Sequence, residues 1–175
     1  ASHASKICGV PHICFTDTEA ARVAIFALLP FTKLLITPKC FKSSYGKKHV
    51  RFNSLFELAY LSPKVYTPSK DIYSILKIPK NDPYIILRFV SWTATHDIGE
   101  KGMSRKLKLE LIGELSKYAR VLISSEGQLS EEFMPYKINI PSNKMHDALA
   151  FSSLYFGESP TMTTESALLG TPAIC

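Results

Sequence analysis

Short apolar runs alternate along this chain with longer segments of helical period. That alternation admits few folds. It is the pattern of βαβ units that build parallel sheets, because a strand covered on both faces by helices reads as a solid apolar run. Residues 10–15, 34–36 and 49–53 are predicted strands, and a helix is predicted from a cap at Thr18 to Leu29, where Pro30 ends it. Between Asn53 and Pro68 the character changes, with Ser54, Ser62-Pro63 and Thr67-Pro68 flanking a short apolar patch. The expected organisation is a first domain in 1–56, a linker in 57–68 and a second domain in 69–175. The second series is cleaner. It predicts strands at 84–90, 121–124, 137–140, 154–156 and 173–175, and helices at 104–118, 144–152 and 161–169. In the 104–118 helix, Leu107, Leu111 and Leu115 are expected to face the sheet.

Composition narrows the class. With 175 residues, 46% hydrophobic and 21% charged, the chain can bury a continuous core, which disordered sequences cannot. The longest uncharged apolar run, 23–31, contains Pro30 and falls far short of the ~20 residues that span a bilayer. Cys8, Cys14, Cys40 and Cys175 form no C-x-x-C pair and have no histidine at zinc-finger spacing, so no metal site is predicted and a reducing cytoplasm is expected. Both ends read as cut, so an internal fragment of a longer protein is expected. Charge is uneven: residues 1–80 carry 12 Lys and Arg against 4 Asp and Glu, and 81–175 carry 9 against 11. A basic first part suits an anionic ligand or surface, or is a solvated face. Lys47-Lys48-His49-Val50-Arg51 has no RNA-binding signature around it, so nucleic acid is not an expected partner. P-loop, G-x-S-x-G and H-E-x-x-H motifs are all missing.

The most informative stretch is 155–172. A strand ends at Gly157, Ser159 is a good N-cap, and Pro160 takes the first helical position, where its missing N–H costs nothing. The amides of Thr161 and Met162 are then expected to point outward beside the positive end of the helix dipole, an arrangement that holds phosphate. Gly170 ends the helix and Pro172 prevents its continuation. Glu165 is placed to accept hydrogen bonds from a ribose diol, or is a solvent-facing helix glutamate.

Other candidates sit where strands give way to helices. Arg88, Ser91, Trp92, His96 and Asp97 follow the first strand of the second domain, at the sheet edge that binds ligands in open α/β folds. Arg88 suits bidentate phosphate pairing and His96 acid–base work; a structural turn is the alternative. Asp17 and Glu19 suit a general base or an acceptor-hydroxyl ligand, and are equally explained by the helix dipole. Ser124-Ser125-Glu126 and Met145-His146-Asp147 lie at sheet edges; His146 suits a base or phosphate contact, and Asp147 reads as a first-turn acid.

The run Glu158-Ser159-Pro160-Thr161-Met162-Thr163-Thr164-Glu165-Ser166-Ala167-Leu168-Leu169-Gly170-Thr171-Pro172 resembles the E-x-A-x-L-G-x-P segment of glycosyltransferase-B-fold proteins, such as non-hydrolysing UDP-N-acetylglucosamine 2-epimerases and the lipid II-forming N-acetylglucosaminyltransferase. The whole chain resembles the domain of unknown function 354 family. The matching stretches are Phe15-Thr16-Asp17-Thr18-Glu19, Thr37-Pro38, Glu57-Leu58-Ala59-Tyr60-Leu61 and Leu87-Arg88-Phe89-Val90-Ser91-Trp92. Four more follow: His96-Asp97-Ile98-Gly99, Ile123-Ser124-Ser125-Glu126, Met145-His146-Asp147 and Gly157-Glu158. The resemblance implies an α/β, glycosyltransferase-B-like architecture of two Rossmann-like parallel-sheet domains with ligand in the cleft, both domains incomplete in this chain. It implies that Glu165 binds the nucleotide ribose and that the loop from Ser159 to Thr161 holds phosphate; Glu158 is counted with these nucleotide- and phosphate-binding candidates. Ser159 and Pro160 depart from the Gly and small residue usual there.

Two readings stay open. In the first, the protein is a metal-independent enzyme of glycan or cell-envelope polysaccharide synthesis that transfers or epimerises the sugar of a UDP-sugar, with no cofactor. Arg88, Ser91, His146, Ser159 and Thr161 would then meet the nucleotide and its diphosphate, Glu165 the ribose, and Asp17, Glu19 or His96 the protons. Its partners would be the nucleotide-sugar and a glycan or lipid-linked acceptor, with peripheral contact at the inner face of the membrane. In the second, the same scaffold is a non-catalytic nucleotide-sugar-binding or structural module.

Overall fold

The computed structural model describes residues 1–90 and 102–175. The chain divides into two compact units, Ala1–Ala59 and Tyr60–Cys175. Each is a Rossmann-like parallel α/β unit, the fold class expected from the apolar runs.

In the first unit, β1 (Ile13–Phe15), β2 (Leu34–Pro38) and β3 (His49–Phe52) form a parallel sheet in the order β1-β2-β3. Ile13 lies opposite Leu34, and Leu35 opposite His49. A short helix α1 (Ser2–Ile7) precedes the sheet, and α2 (Arg22–Leu28) links β1 to β2, tightening into a 3-10 turn at Leu29–Phe31 where Pro30 sits. The core is small: Ile25, Leu35 and Phe41 are buried, with Cys14, Leu29 and Tyr45 against them. The expected cap at Thr18 is not formed. Its hydroxyl donates to Asp17, its amide goes to the Thr16 hydroxyl, and the helix starts four residues later without a side-chain cap.

The boundary falls within α3 (Leu58–Leu61), and the second unit goes on with α4 (Ile72–Leu76), β4 (Tyr84–Phe89), α5 (Arg105–Leu115), β5 (Arg120–Ser125), α6 (Met145–Ala150), β6 (Leu154–Gly157), α7 (Pro160–Leu168) and β7 (Ala173–Ile174). The strands are parallel in the order β5-β4-β6-β7. Central β4 explains the solid apolar run. Tyr84 and Ile86 enter one core with Ile72, Tyr73, Leu149, Tyr155 and Met162, while Ile85, Leu87 and Phe89 enter the other with Ile112, Val121, Ile123 and Phe133. Each such side chain contributes roughly 1.5–3 kcal/mol of gross burial.

Two predicted features are corrected here. On α5 the buried residue is Ile112, flanked by partly buried Leu111 and Leu115, whereas Leu107 is 48% exposed. Leu111 and Leu115 thus face the sheet core as expected, and only Leu107, in the first turn beside the Ser104 cap, does not. Lys108 replaces Leu107 at the sheet, its ammonium 4.3 Å from the Phe89 ring centroid. The strand predicted at 137–140 is a single bridge, Lys137 beside Ile123. Pro141 supplies no donor, and a 3-10 turn at Ser142–Lys144 follows at once.

Two helix ends match the residues that predicted them. Ser159 caps α7 by accepting the Met162 amide, with Pro160 at the first helical position. At the other end Gly170 takes φ +89°, and the amides of Gly170 and Thr171 close onto the carbonyls of Ala167 and Ser166.

Candidate functional site

The order β5-β4-β6-β7 sets where a ligand can sit. From β4 the chain crosses by α5 to β5 on one side, then returns past β4 to β6 on the other, so the connections diverge at the carboxyl ends of β4 and β6. In open parallel sheets that divergence opens the ligand crevice. Arg88 stands there, paired in register with Ser124 on β5 and Gly157 on β6. The approach of the strands demands glycine at 157: a Cβ on it would come within 2.5 Å of the Arg88 Cβ and 2.9 Å of the Arg88 carbonyl oxygen.

A groove of about 380 Å³ lies at this edge, lined by Arg88, Ser124 and Ser125, by Lys137, Ile138 and Ile140, and by Ser142, Met145 and Met162. The lining combines a guanidinium, an ammonium and serine hydroxyls with aliphatic and methionine side chains. A larger groove of about 490 Å³ in the first unit is bounded by residues that precede β1 and β2, among them Lys6, His12 and Lys33. That is the amino-terminal edge of its sheet, opposite to where parallel sheets bind ligands, so the smaller groove is the candidate site.

Arg88 is the best-defined residue of the groove. Its Nη1 donates to the Ser124 hydroxyl at 2.7 Å and its Nη2 to the Glu126 carboxylate at 2.8 Å. Its Nε is buried and has no hydrogen-bond partner among the described residues. An unpaired buried donor on a guanidinium is costly, and a planar acceptor such as a phosphate would satisfy it.

Glu158, expected among phosphate ligands, has other work. Its carboxylate accepts the amide of Val90 on one oxygen and that of Met103 on the other. It thereby ties together the two backbone points that flank residues 91–101. Ser159 is occupied as a cap, and the Thr163 and Thr164 hydroxyls turn back onto the carbonyls of Ser159 and Pro160. Of the two amides expected to point outward, Met162's is therefore capped, and exposed Thr161 keeps its own uncapped among the described residues.

Glu165 and His146 are brought together, and the glutamate is not solvent-facing. Glu165 is 8% exposed; its Oε1 accepts the Tyr60 hydroxyl at 2.9 Å and lies 3.1 Å from His146 Nε2. The His146 ring lies 5.6 Å from that of Tyr60 and 5.9 Å from that of Tyr66. Tyr60 went unnoticed in the sequence because nothing local links it to a helix 105 residues away. Asp147 is buried and structural: it accepts from the Tyr66 hydroxyl, the Ser69 amide and Lys144. Burial pushes its carboxyl up, but these three donors outweigh that and hold it below the usual aspartate range.

In the first unit, Asp17 accepts from the Thr18 hydroxyl. Glu19 does not stand free for proton transfer, because it accepts the Ser43 hydroxyl and the amides of Ser43 and Lys42. Those bonds, the Ser43 hydroxyl first, hold it below the usual glutamate range. The carbonyls of the same two residues are taken by Arg51. Ser91, Trp92, His96 and Asp97 lie outside the described residues. Among the described residues no cluster of His, Cys, Asp or Glu could hold a metal ion, and no helix is long and apolar enough to cross a membrane.

No family model and no curated protein matches the chain. Among solved structures it is similar to a histidine-to-alanine variant of the wall teichoic acid polymerase TagF, at 14% identity and a TM-score of 0.45, over 90% of this chain and 42% of that one. The chain thus spans less than half the length of that polymerase.

Proposed function

We propose that the second unit binds the nucleoside diphosphate of a nucleotide-sugar, and that the protein is a glycosyltransferase-B-type enzyme of glycan or cell-envelope polysaccharide synthesis, acting by glycosyl transfer or sugar epimerisation. The observation that carries this reading is Arg88: a cation at the point where the sheet connections diverge, with a buried unpaired Nε, beside the Ser124 and Ser125 hydroxyls and Lys137.

The chemistry follows from charge. Breaking the bond between a sugar and a diphosphate leaves negative charge on the phosphate oxygens, and donors fixed in advance at that place lower the barrier. Arg88 and Lys137 supply two cations for that purpose. The apolar side chains of the lining, Ile138, Ile140, Met145 and Met162, suit the face of a nucleobase. Glu165, turned by Tyr60 and His146 so that Oε1 is occupied, keeps Oε2 for a ribose hydroxyl.

Calorimetry with UDP and UDP-sugars, followed by product analysis, tests the proposal. Micromolar binding with turnover is expected, whereas binding without turnover would assign a sensor or structural module. Absence of binding would refute both. Glu165→Gln, which keeps the side chain's shape, is expected to weaken UDP affinity at least about fivefold, the loss of a hydrogen bond to a charged group.

A further inference from the structure

The larger groove, about 490 Å³ in the first unit, carries a chemistry that the nucleotide reading does not use. Its wall holds Lys6, His12 and Lys33, with no aspartate or glutamate among the described residues that line it. Both lysines are exposed, and neither ammonium has an ion-pair or hydrogen-bond partner among the described residues. The unit around them carries 8 Lys and Arg against 3 Asp and Glu, so no acidic surface offsets the positive field.

His12 is built into this wall. Thr32, 1% exposed, donates its single hydroxyl proton to the Leu28 carbonyl at 2.8 Å, so toward His12 Nδ1, 3.0 Å away, it can only accept. Nδ1 therefore carries a proton, and Nε2 is the ring nitrogen left for a ligand. The backbone offers nothing more: Pro11 and Pro30 have no N–H, and the amides of Thr32 and Lys33 go to the carbonyls of Leu29 and His12. Side chains alone must hold an anion here. Phe31, its ring centroid 4.4 Å from that of His3, joins Val10, Pro11 and Pro30 as the apolar part of the wall.

The donors select the kind of anion. A planar carboxylate is matched by the fork of an arginine, and the wall has none; two lysine ammoniums are point charges suited to a phosphoryl group, whose oxygens face several directions. A cavity of this volume takes a small molecule. We propose that this groove binds a phosphate monoester with an apolar body, its phosphoryl group met by Lys6, Lys33 and His12 Nε2 and its body by Phe31 and the prolines. The site is separate from the Arg88 groove and does not depend on what that groove binds.

The test titrates phenyl phosphate into the 175-residue chain, with chemical-shift mapping to locate the probe and calorimetry to measure it. Saturable shifts centred on Lys6, His12, Phe31 and Lys33 are expected. Lys6→Met and Lys33→Met, which alter exposed side chains, are each expected to weaken binding about tenfold, the loss of a bond to a charged group. His12→Asn, which keeps a donor toward Thr32 and removes Nε2, is expected to weaken it severalfold. Lys47→Met, which removes an equal charge from the exposed 3-10 turn Gly46–Lys48, is expected to leave it unchanged. An equal loss in Lys47→Met would overturn the proposal, as would shifts centred on Arg88 and Ser124, or no saturable binding. Binding of the chain to phosphatidylglycerol vesicles without binding of phenyl phosphate would overturn it in favour of a membrane contact. If phenyl phosphate binds as expected while UDP does not bind, this site stands and the nucleotide-sugar reading falls.

Discussion

Replacing Gly157 by alanine tests the geometry that brings Arg88 to the groove. A methyl at that position would lie 2.5 Å from the Arg88 Cβ, 2.8 Å from the Tyr155 hydroxyl and 2.9 Å from the Arg88 carbonyl oxygen. None of these can step aside cheaply: Tyr155 is fully buried, and the Arg88 atoms belong to the central strand. Strands β4 and β6 must separate by several tenths of an ångström at their carboxyl ends, which puts the Glu158 amide's bond to the Arg88 carbonyl at risk. Overpacking of this kind costs about 1–3 kcal/mol. Adding one strained backbone bond of about 1 kcal/mol gives about 2–4 kcal/mol. For a unit of this size that lowers Tm by roughly 8–16 °C. Differential scanning calorimetry of the wild-type and Gly157→Ala chains reads the shift. A change below about 2 °C would mean that β4 and β6 are not held in this register, and with it the close approach of Gly157 to Arg88 would fail.

Three further outcomes follow from single side chains. Ile112→Ala is expected to cost about 2–4 kcal/mol by chemical denaturation and Leu107→Ala under about 1 kcal/mol; equal effects would refute the burial of Ile112 and the exposure of Leu107. Asp147→Asn removes the charge that Tyr66, Ser69 and Lys144 converge on, and is expected to cost about 2–3 kcal/mol. Because the folded state holds Asp147 below its unfolded value, its contribution is complete above the ordinary aspartate pKa of ~3.9 and is lost as pH falls beneath it, so the wild-type minus Asp147→Asn difference in Tm should shrink toward pH 3. A difference that grew on acidification would contradict the assignment. Ser159→Ala removes the α7 cap and is expected to cost about 0.5–1 kcal/mol, read by urea denaturation, with no loss indicating that the long 3.4 Å bond is idle.

How much of this was legible beforehand differs between backbone and side chains. The buried parallel strands were, because a strand covered on both faces must be apolar at every position, as Tyr84 to Phe89 is. The cap at Ser159 and the left-handed Gly170 were too, since both act through neighbours within four residues. The face of α5 was legible at Leu111 and Leu115 but not at Leu107, because an i, i+4, i+8 stripe does not say how far along the helix the sheet covers it. Side-chain roles at the candidate site depended on partners remote in sequence. Glu165 reads as a surface glutamate until Tyr60 and His146 meet it, and Glu158 reads as a phosphate ligand until the amides of Val90 and Met103 claim its oxygens. Arg88 was chosen for lying at a strand end; its unpaired Nε has no trace in the sequence.

The account turns on where a diphosphate meets the protein. Backbone and methyl chemical-shift mapping of the chain titrated with UDP answers that most directly. The expected result is a saturable set of shifts centred on Arg88, Ser124, Ser125, Lys137 and the Met145 and Met162 methyls. Saturable shifts centred instead on Lys6, His12 and Lys33, or none that saturate, would contradict it.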